Sequence, residues 1–231
     1  MTPRRQLHLW SRASAAGVHP LLVLLCLSGL AVFGLIVEEM LEGGTTASDN
    51  AILLALRTPG HLATPIGPPW LLQSAIDLSA LGGFTFIWLF TIAMAGFFAL
   101  TRRWRAMIVF LAAIVGASVL DALLKLSFHR ARPEIVPHLA LVDNASFPSG
   151  HAMISAATYL TVGAMLTRAQ KSWRVRVYLL TIFIAITLMI GLSRLYLGVH
   201  WPSDVFAGWS IGAAWALAFW IIADRTAEPK A

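Results

Sequence analysis

The sequence predicts an all-α, polytopic membrane protein with six transmembrane helices, and two properties of the chain support this fold class. First, 58% of the 231 residues are hydrophobic and 12% are charged, whereas about 25% of the residues of a typical soluble domain are charged. Second, the hydrophobic residues fall in long segments, each close to the roughly 20 residues that a helix needs to cross a bilayer. Because no repeat, low-complexity tract or linker divides the chain, residues 1–231 are expected to form a single membrane domain.

Six segments have the length and composition of a membrane span. In chain order they are Pro20–Val37, Gly83–Leu100, Ala106–Leu126, His151–Thr167, Val177–Leu192 and Val205–Ala223. An even number of spans places the N-terminus and the C-terminus on the same side of the membrane.

The distribution of basic residues predicts that this side is the cytoplasm, because cytoplasmic loops are enriched in Lys and Arg. With the N-terminus inside, twelve of the seventeen basic residues are cytoplasmic: Arg4, Arg5, Arg12, Arg102, Arg103, Arg105, Arg168, Lys171, Arg174, Arg176, Arg225 and Lys230. The other five are extracytoplasmic: Arg57, Lys125, Arg130, Arg132 and Arg194. Since the basic residues are scattered over short loops, the pI of about 10.2 reflects topology and attraction to anionic lipid headgroups, and no nucleic acid partner is expected.

A long extracytoplasmic segment, residues 38–82, separates the first two spans. Ser48 is placed to cap a short helix over Asp49–Leu56, and a second amphipathic stretch covers Trp70–Leu78 after a proline-rich break. Two interpretations of this segment are open. It is either a pair of helices that lie in the membrane interface or a lid or access surface for a lipid substrate.

Polar residues flank the remaining spans at the ends that the topology places outside. The third and fifth spans end there, and the fourth and sixth begin there, so these residues are expected to meet at one membrane face: Lys125, Arg132, Ser149, Gly150, His151, Arg194, His200 and Asp204. Three cations and a helix N-terminus form a site for a multiply charged anion such as phosphate. Two histidines and an aspartate supply a nucleophile, an acid and an orienting group.

Each of these residues taken alone has a simpler interpretation. A charge at a helix end can extend to the interface, and a single histidine at a helix start is more often a packing residue. Asp204 is suited to cap the sixth span. It also follows His200 by four positions, so one helical turn brings its carboxylate beside the imidazole.

The same residues form three motifs: Lys125-x6-Arg132-Pro133, Pro148-Ser149-Gly150-His151 and Ser193-Arg194-x5-His200-x3-Asp204. Together they resemble the three-part signature of the type 2 phosphatidic acid phosphatase superfamily, which includes bacterial acid phosphatases and vanadium haloperoxidases. Every signature position is filled. The signature spans residues 125–204, and the six-helix layout extends the resemblance to most of the chain.

The resemblance implies a phosphatase that needs no metal and no cofactor. His200 is then the nucleophile that forms a phosphohistidine, Asp204 orients it, and His151 protonates the leaving oxygen. The substrate phosphate is bound by side chains and by backbone N–H groups near the start of the fourth span, at the following positions: Lys125, Arg132, Ser149, Gly150 and Arg194.

A site at the outer interface favours an amphiphilic substrate whose hydrocarbon tail stays in the bilayer. The candidates are phosphatidic acid, phosphatidylglycerol phosphate, a polyprenyl pyrophosphate and a lipid A phosphate. The short loops favour a bacterial inner (plasma) membrane, with the site on the extracytoplasmic, periplasmic face. The alternatives are a transporter, a non-catalytic lipid-binding protein and a haloperoxidase.

Three charged or titratable residues near the signature have two interpretations each. Asp121 lies one turn before Lys125, where it either neutralises the lysine for membrane insertion or directs the ammonium group at phosphate. His129 and Arg130 either contact a second phosphate or face solvent in a loop.

Overall fold

The computed structural model describes residues 3–142 and 145–225, and it describes the side chains of residues 20–142 and 145–223. The fold is helical, as predicted, with eight helices in the described part of the chain: α1 (Pro3–Leu41), α2 (Thr46–Ala55), α3 (Pro69–Leu81), α4 (Phe84–Leu100), α5 (Trp104–Phe128), α6 (Gly150–Arg168), α7 (Trp173–Tyr196) and α8 (Pro202–Arg225). A short antiparallel hairpin, β1 (Arg57–Thr58) and β2 (His61–Pro65), was not predicted. Lys230 lies outside the described residues.

Four of the described helices are long and apolar enough to cross a membrane: Pro20–Leu41 within α1, α5, α7 and Pro202–Ala223 within α8. A fifth candidate is the pair α3 and α4, which is bent by 47° between Leu81 and Phe84. These helices make the protein a multi-pass membrane protein. Helix α6 coincides with the fourth predicted segment, but its composition does not identify it as a span.

Helix α6 is less apolar because it lies inside the bundle rather than against lipid. Its buried residues include Ser155, Thr158 and Thr161, together with several alanines. Small residues let helices approach closely inside a membrane. A helix surrounded by protein therefore does not need the continuous hydrophobic surface of a lipid-facing helix.

Helix α8 approaches α6 through two glycines one turn apart, Gly208 and Gly212. A methyl group on Gly208 would lie 2.8 Å from the carbonyl oxygen of Ser149, and one on Gly212 would overlap the carbonyl oxygen of Met153. Glycine at both positions thus permits backbone-to-backbone packing, as in other small-xxx-small interfaces. This packing fixes the start of α6 against the start of α8.

Residues 38–82 form the two predicted helices with different boundaries. Helix α2 begins at Thr46, three residues before the predicted start, and its N-cap is Thr45. The prediction that Ser48 caps this helix is therefore wrong, and the Ser48 hydroxyl instead donates to the carbonyl oxygen of Thr45 at 2.9 Å. Helix α3 covers the predicted stretch and extends to Leu81.

Candidate active site

His200 lies in the loop between α7 and α8, and only 2% of its surface is exposed. Its Nε2 atom is 3.2 Å from Nη1 of Arg132. Because a guanidinium group can only donate hydrogen bonds, Nε2 must carry the lone pair and Nδ1 the proton. Nδ1 faces Oγ of Ser146 at 3.4 Å and Oδ2 of Asp204 at 3.5 Å.

The charge state of His200 follows from its surroundings. Burial lowers the pKa of His200 to about 4; Asp204 opposes this shift, and Arg132 and Arg194 add to it. The imidazole is therefore neutral at pH 7, with an unprotonated Nε2 on the side that faces the cations. These are the properties that a histidine nucleophile requires.

Asp204, in the first turn of α8, is fully buried, and hydrogen bonds fix both of its carboxylate oxygens. Oδ2 accepts from the hydroxyl of Ser146 and from the backbone N–H of Trp201, the latter at 3.0 Å. Oδ1 accepts from Nη1 of Arg130 at 2.6 Å. The bond to Trp201 caps the helix while the same oxygen faces His200, so the two interpretations of Asp204 are compatible.

The three signature cations lie around the start of α6. A methyl group on Gly150 would lie 2.6 Å from Nζ of Lys125, so the ammonium group rests directly against the helix N-terminus. Nη1 of Arg132 donates to the carbonyl oxygen of Val199 at 2.6 Å. Nη1 of Arg194 donates to Oγ of Ser79 at 2.7 Å.

Two buried polar atoms of this cluster have no hydrogen-bond partner: Nε of Arg194 and Oγ of Ser149. Buried polar groups are nearly always paired, so each such group calls for an explanation. A bound phosphoryl oxygen would satisfy both. The backbone N–H of Ser149, by contrast, donates to the carbonyl oxygen of Asp204 at 3.0 Å, so phosphate binding by Ser149 stays a prediction for its unpartnered hydroxyl.

His151, in the first turn of α6, completes the cluster. It lies within electrostatic range of the three cations and of His200. On its other side a methyl group on Gly82 would be 3.4 Å from Cδ2 of His151, so the end of α3 borders the site. The structure therefore brings all eight sequence-predicted residues together at one end of the bundle.

Arg130 departs from both interpretations made from the sequence, because it neither faces solvent nor points to a second phosphate. Its Nη1 donates to Asp204 at 2.6 Å and to Oγ of Ser203 at 2.8 Å, and its Nη2 donates to Oδ2 of Asp49 at 3.0 Å. Its guanidinium carbon lies 5.5 Å from the ring centre of Trp201. Arg130 thus supports the site from behind the aspartate.

Asp121 and His129, which precede Arg130 in the sequence, also had two interpretations each. Asp121 forms an ion pair with Lys125 at 2.7 Å, as both interpretations of Asp121 assumed. His129 is exposed and ends α5 in a left-handed conformation with φ of 46°.

Sequence reasoning missed three further residues that contact the site: Ser146, Ser79 and Asp49. Single serines and an aspartate in loops or short helices carry no spacing pattern that would identify them. Only the fold brings them next to signature residues. Within residues 20–142 and 145–223, no group of three or more His, Cys, Asp or Glu side chains is arranged to hold a metal ion.

Comparison with known proteins agrees with the geometry. Residues 106–227 match the PAP2 superfamily. The chain is similar to phosphatidylglycerophosphatase B of Bacillus subtilis, with 32% identity over 168 residues that cover 71% of this chain and 80% of that protein. It is also similar to decaprenylphosphoryl-5-phosphoribose phosphatase of Mycobacterium tuberculosis, with 33% identity over 63% of this chain and 76% of that protein.

A solved structure shares the fold. The crystal structure of a transmembrane PAP2 type phosphatidylglycerolphosphate phosphatase from Bacillus subtilis superposes with a TM-score of 0.80. The two sequences are 23% identical, and the superposition covers 89% of this chain and 98% of that one.

Proposed function

The chain belongs to the PAP2 superfamily of phosphatases, and from this premise we propose that it hydrolyses a phosphomonoester of a membrane lipid through a phosphohistidine formed on His200. The observation that carries the proposal is the state of His200. Its ring is buried and neutral, and Arg132 holds the unprotonated Nε2 at 3.2 Å. A phosphate bound to Arg132 would accept from Nη1 in place of His200, which frees that lone pair to attack phosphorus.

In the first step Nε2 of His200 attacks phosphorus in line, the N–P bond forms and the bond to the leaving oxygen breaks. His151 donates a proton to that oxygen, help that is typically worth about 10²–10⁴ in rate. Asp204 stabilises the positive charge that develops on the imidazole ring. In the second step His151 removes a proton from water, the water oxygen bonds to phosphorus, the N–P bond breaks, and inorganic phosphate leaves.

The non-bridging phosphate oxygens are bound by fixed donors as negative charge builds up in the transition state. These donors are the side chains of Lys125, Arg132 and Arg194, the hydroxyl of Ser149 and the N–H of Gly150. The unpartnered Nε of Arg194 and Oγ of Ser149 support this arrangement.

The phosphomonoester is favoured over a pyrophosphate because Arg130, which lies between Lys125 and Arg132 in the sequence, binds Asp49 and Asp204. It is therefore not available to a second phosphate. The three signature cations, Lys125, Arg132 and Arg194, match the charge of one phosphoryl group in its transition state.

An apolar groove of about 460 Å³ between α4, α6 and α7 supports a lipid substrate. It is lined by residues that include Leu81, Phe90, Tyr159 and Phe183. The hydroxyl of Tyr159 donates to the carbonyl oxygen of Leu81 at 2.8 Å, and the next residue, Gly82, borders His151. A hydrocarbon chain in this groove would therefore reach the leaving-group side of the site.

The proposal includes the topology. Six spans cross the membrane as one domain, with α6 as the protein-enclosed span, and both termini are cytoplasmic. The active site then faces the extracytoplasmic side of the inner membrane. The basic loops support this orientation, because Arg102, Arg103 and Arg105 lie at the start of α5, whereas Lys125 of the site lies in its last turn.

The test is release of inorganic phosphate by the detergent-purified protein in EDTA. The substrates are phosphatidic acid, phosphatidylglycerol phosphate, a polyprenyl pyrophosphate and lipid A. His200→Ala is expected to abolish release, and His61→Ala, which removes an exposed histidine of the hairpin, is expected to leave it unchanged. No release by the wild type, or equal release by His200→Ala, would overturn the mechanism. Loss of release in EDTA would overturn metal independence, and preference for the pyrophosphate would overturn the phosphomonoester.

A further inference from the structure

Asp49, in the first turn of α2, is 2% exposed although it belongs to the extracytoplasmic segment. Its Oδ1 accepts from the backbone N–H of Ser203 at 2.9 Å. Its Oδ2 accepts from the hydroxyl of Ser203 at 2.5 Å and from Nη2 of Arg130 at 3.0 Å. The carboxylate therefore connects α2 to the first turn of α8.

Arg130 continues this connection to the nucleophile. One of its terminal nitrogens binds Asp49, and the other binds Oδ1 of Asp204 at 2.6 Å. Oδ2 of Asp204 in turn faces Nδ1 of His200 at 3.5 Å. A continuous row of charged groups thus runs from the extracytoplasmic helix to the imidazole.

The charges of this row explain why two carboxylates are needed. Asp204 paired with Arg130 alone would form a neutral pair, and a neutral pair offers little stabilisation to a cation that forms beside it. The second carboxylate, Asp49, gives the group a net charge of −1. That charge balances the positive charge that the His200 ring acquires when Nε2 bonds to phosphorus, and the effect is large because the groups are shielded from water.

We propose that Asp49 is a positioning residue of this phosphatase site, an inference that rests on the proposed function. Because its carboxylate pairs with Arg130, Arg130 does not fully neutralise Asp204, and a net negative charge is preserved behind His200. Asp49 does not contact substrate. Helix α2 is in this view part of the catalytic apparatus, in addition to any contact that the segment makes with the membrane interface or with a lipid.

Asp49→Asn removes the charge of Asp49 and, because an amide NH2 group cannot accept a hydrogen bond, also the bond from Nη2 of Arg130. The amide retains one oxygen that can accept from the N–H of Ser203, so the start of α8 keeps its bond while the charge is lost. We expect kcat to fall by about 10–100-fold, the loss typical when a group that orients a metal-binding side chain is removed, because Asp49 likewise acts through a side chain that it holds. KM should stay within about threefold, because Asp49 lies behind His200 and not in the phosphate cluster.

Asp77→Asn is the matched control. Asp77 lies in the same extracytoplasmic segment, on α3, and its carboxylate accepts a hydrogen bond from the exposed Gln73 at 2.9 Å. It has no contact with Arg130 or Asp204 among the described interactions. Its substitution is expected to leave kcat and KM unchanged.

A second variant separates charge balance from a purely structural role. Arg130→Gln in the Asp49→Asn background removes the remaining positive charge and leaves Asp204 again with a net charge of −1. The charge argument predicts that kcat of the double variant exceeds kcat of Asp49→Asn, a coupling that a double-mutant cycle measures directly. A structural role predicts a further loss.

The outcomes distinguish the two proposals. If His200→Ala is inactive but Asp49→Asn behaves as Asp77→Asn does, the role of Asp49 is refuted and the phosphatase stands. If Asp49→Asn is impaired and Arg130→Gln lowers kcat further, the charge argument is refuted. A wild type that releases no phosphate overturns the proposed function and the role of Asp49 with it.

Discussion

A methyl group on Gly208 would force apart the two helix starts that carry the catalytic groups. Gly208 lies on α8 one turn after Asp204, and it faces the carbonyl oxygen of Ser149 at the start of α6. The N–H of Ser149 donates to the carbonyl oxygen of Asp204 at 3.0 Å. The interface between Gly208 and Ser149 therefore sets the separation between His151 on one helix and the aspartate on the other.

The required displacement follows from the contact distances. The added methyl would lie 2.8 Å from the Ser149 oxygen and 3.0 Å from Cβ of Ala152, whereas ordinary contacts begin at 3.4 Å. Because the Ser149 oxygen belongs to the backbone, a rotamer change cannot relieve the overlap, and the helices must separate by about 0.6 Å. Catalytic groups have to be held within about 0.5 Å, and a misplacement of about 1 Å can cost about 10²-fold in rate.

We therefore expect Gly208→Ala to lower kcat for lipid phosphate hydrolysis by about 10-fold or more. The measurement is phosphate release under saturating substrate, normalised to folded protein by size-exclusion chromatography. Gly96→Ala is the control, because no heavy atom lies within 4 Å of a methyl group at that position on α4. A Gly208→Ala variant within twofold of Gly96→Ala would show that the helix separation does not set the geometry of the site.

Three further predictions concern single side chains. In the free protein the ring ¹⁵N signals of His200 should titrate near pH 4, because burial lowers its pKa. The ring gains a proton, and loses its nucleophilic lone pair, only as the pH falls through that value. A midpoint near 6.5 would contradict a buried neutral ring. Ser79→Ala should reduce kcat/KM by about 2–10-fold, since it removes a hydrogen bond worth about 0.5–1.5 kcal/mol that holds Arg194. Ser74→Ala should have no effect, because the Ser74 hydroxyl donates to the carbonyl oxygen of Trp70 in the same helix. Asp121→Asn should lower turnover at normal membrane levels, because its carboxylate holds the signature lysine at 2.7 Å; unchanged turnover would limit the pair to a role in membrane insertion.

The long helices could be predicted because a bilayer imposes a minimum apolar length on each lipid-facing span. That rule is weakest for α6, where protein replaces lipid as the surroundings and buried Ser155, Thr158 and Thr161 lower the hydropathy. The helix was still located, because residues 151–167 form an apolar segment and the Pro-Ser-Gly-His motif marks its start. Its crossing of the membrane is not evident from composition alone.

The signature residues could be predicted because helix ends on one side of a membrane must meet, and the motifs place charged and nucleophilic groups at those ends. The residues that lie behind the signature residues and support them could not be predicted. The hydroxyl of Ser203 and the carboxylate of Asp49 are 154 positions apart in sequence, and the hydroxyl of Ser79 and Arg194 are 115 apart. No local pattern encodes such pairs, because they depend on how α2 and α3 pack against α7 and α8.

Residues 38–82 supply this support for a physical reason. Membrane helices end at the site with free backbone groups and buried charges, and their apolar sides cannot satisfy them. Residues 38–82 carry polar side chains that do: Asp49 binds the start of α8, and Ser79 binds Arg194. Arg57, which is 2% exposed and whose pKa burial lowers, donates to the carbonyl oxygen of Tyr196 at 2.9 Å, four residues before His200. Three elements of one segment thus hold three parts of the site, so substitutions at these buried polar positions should impair catalysis more than substitutions on the lipid-facing surface of the same protein.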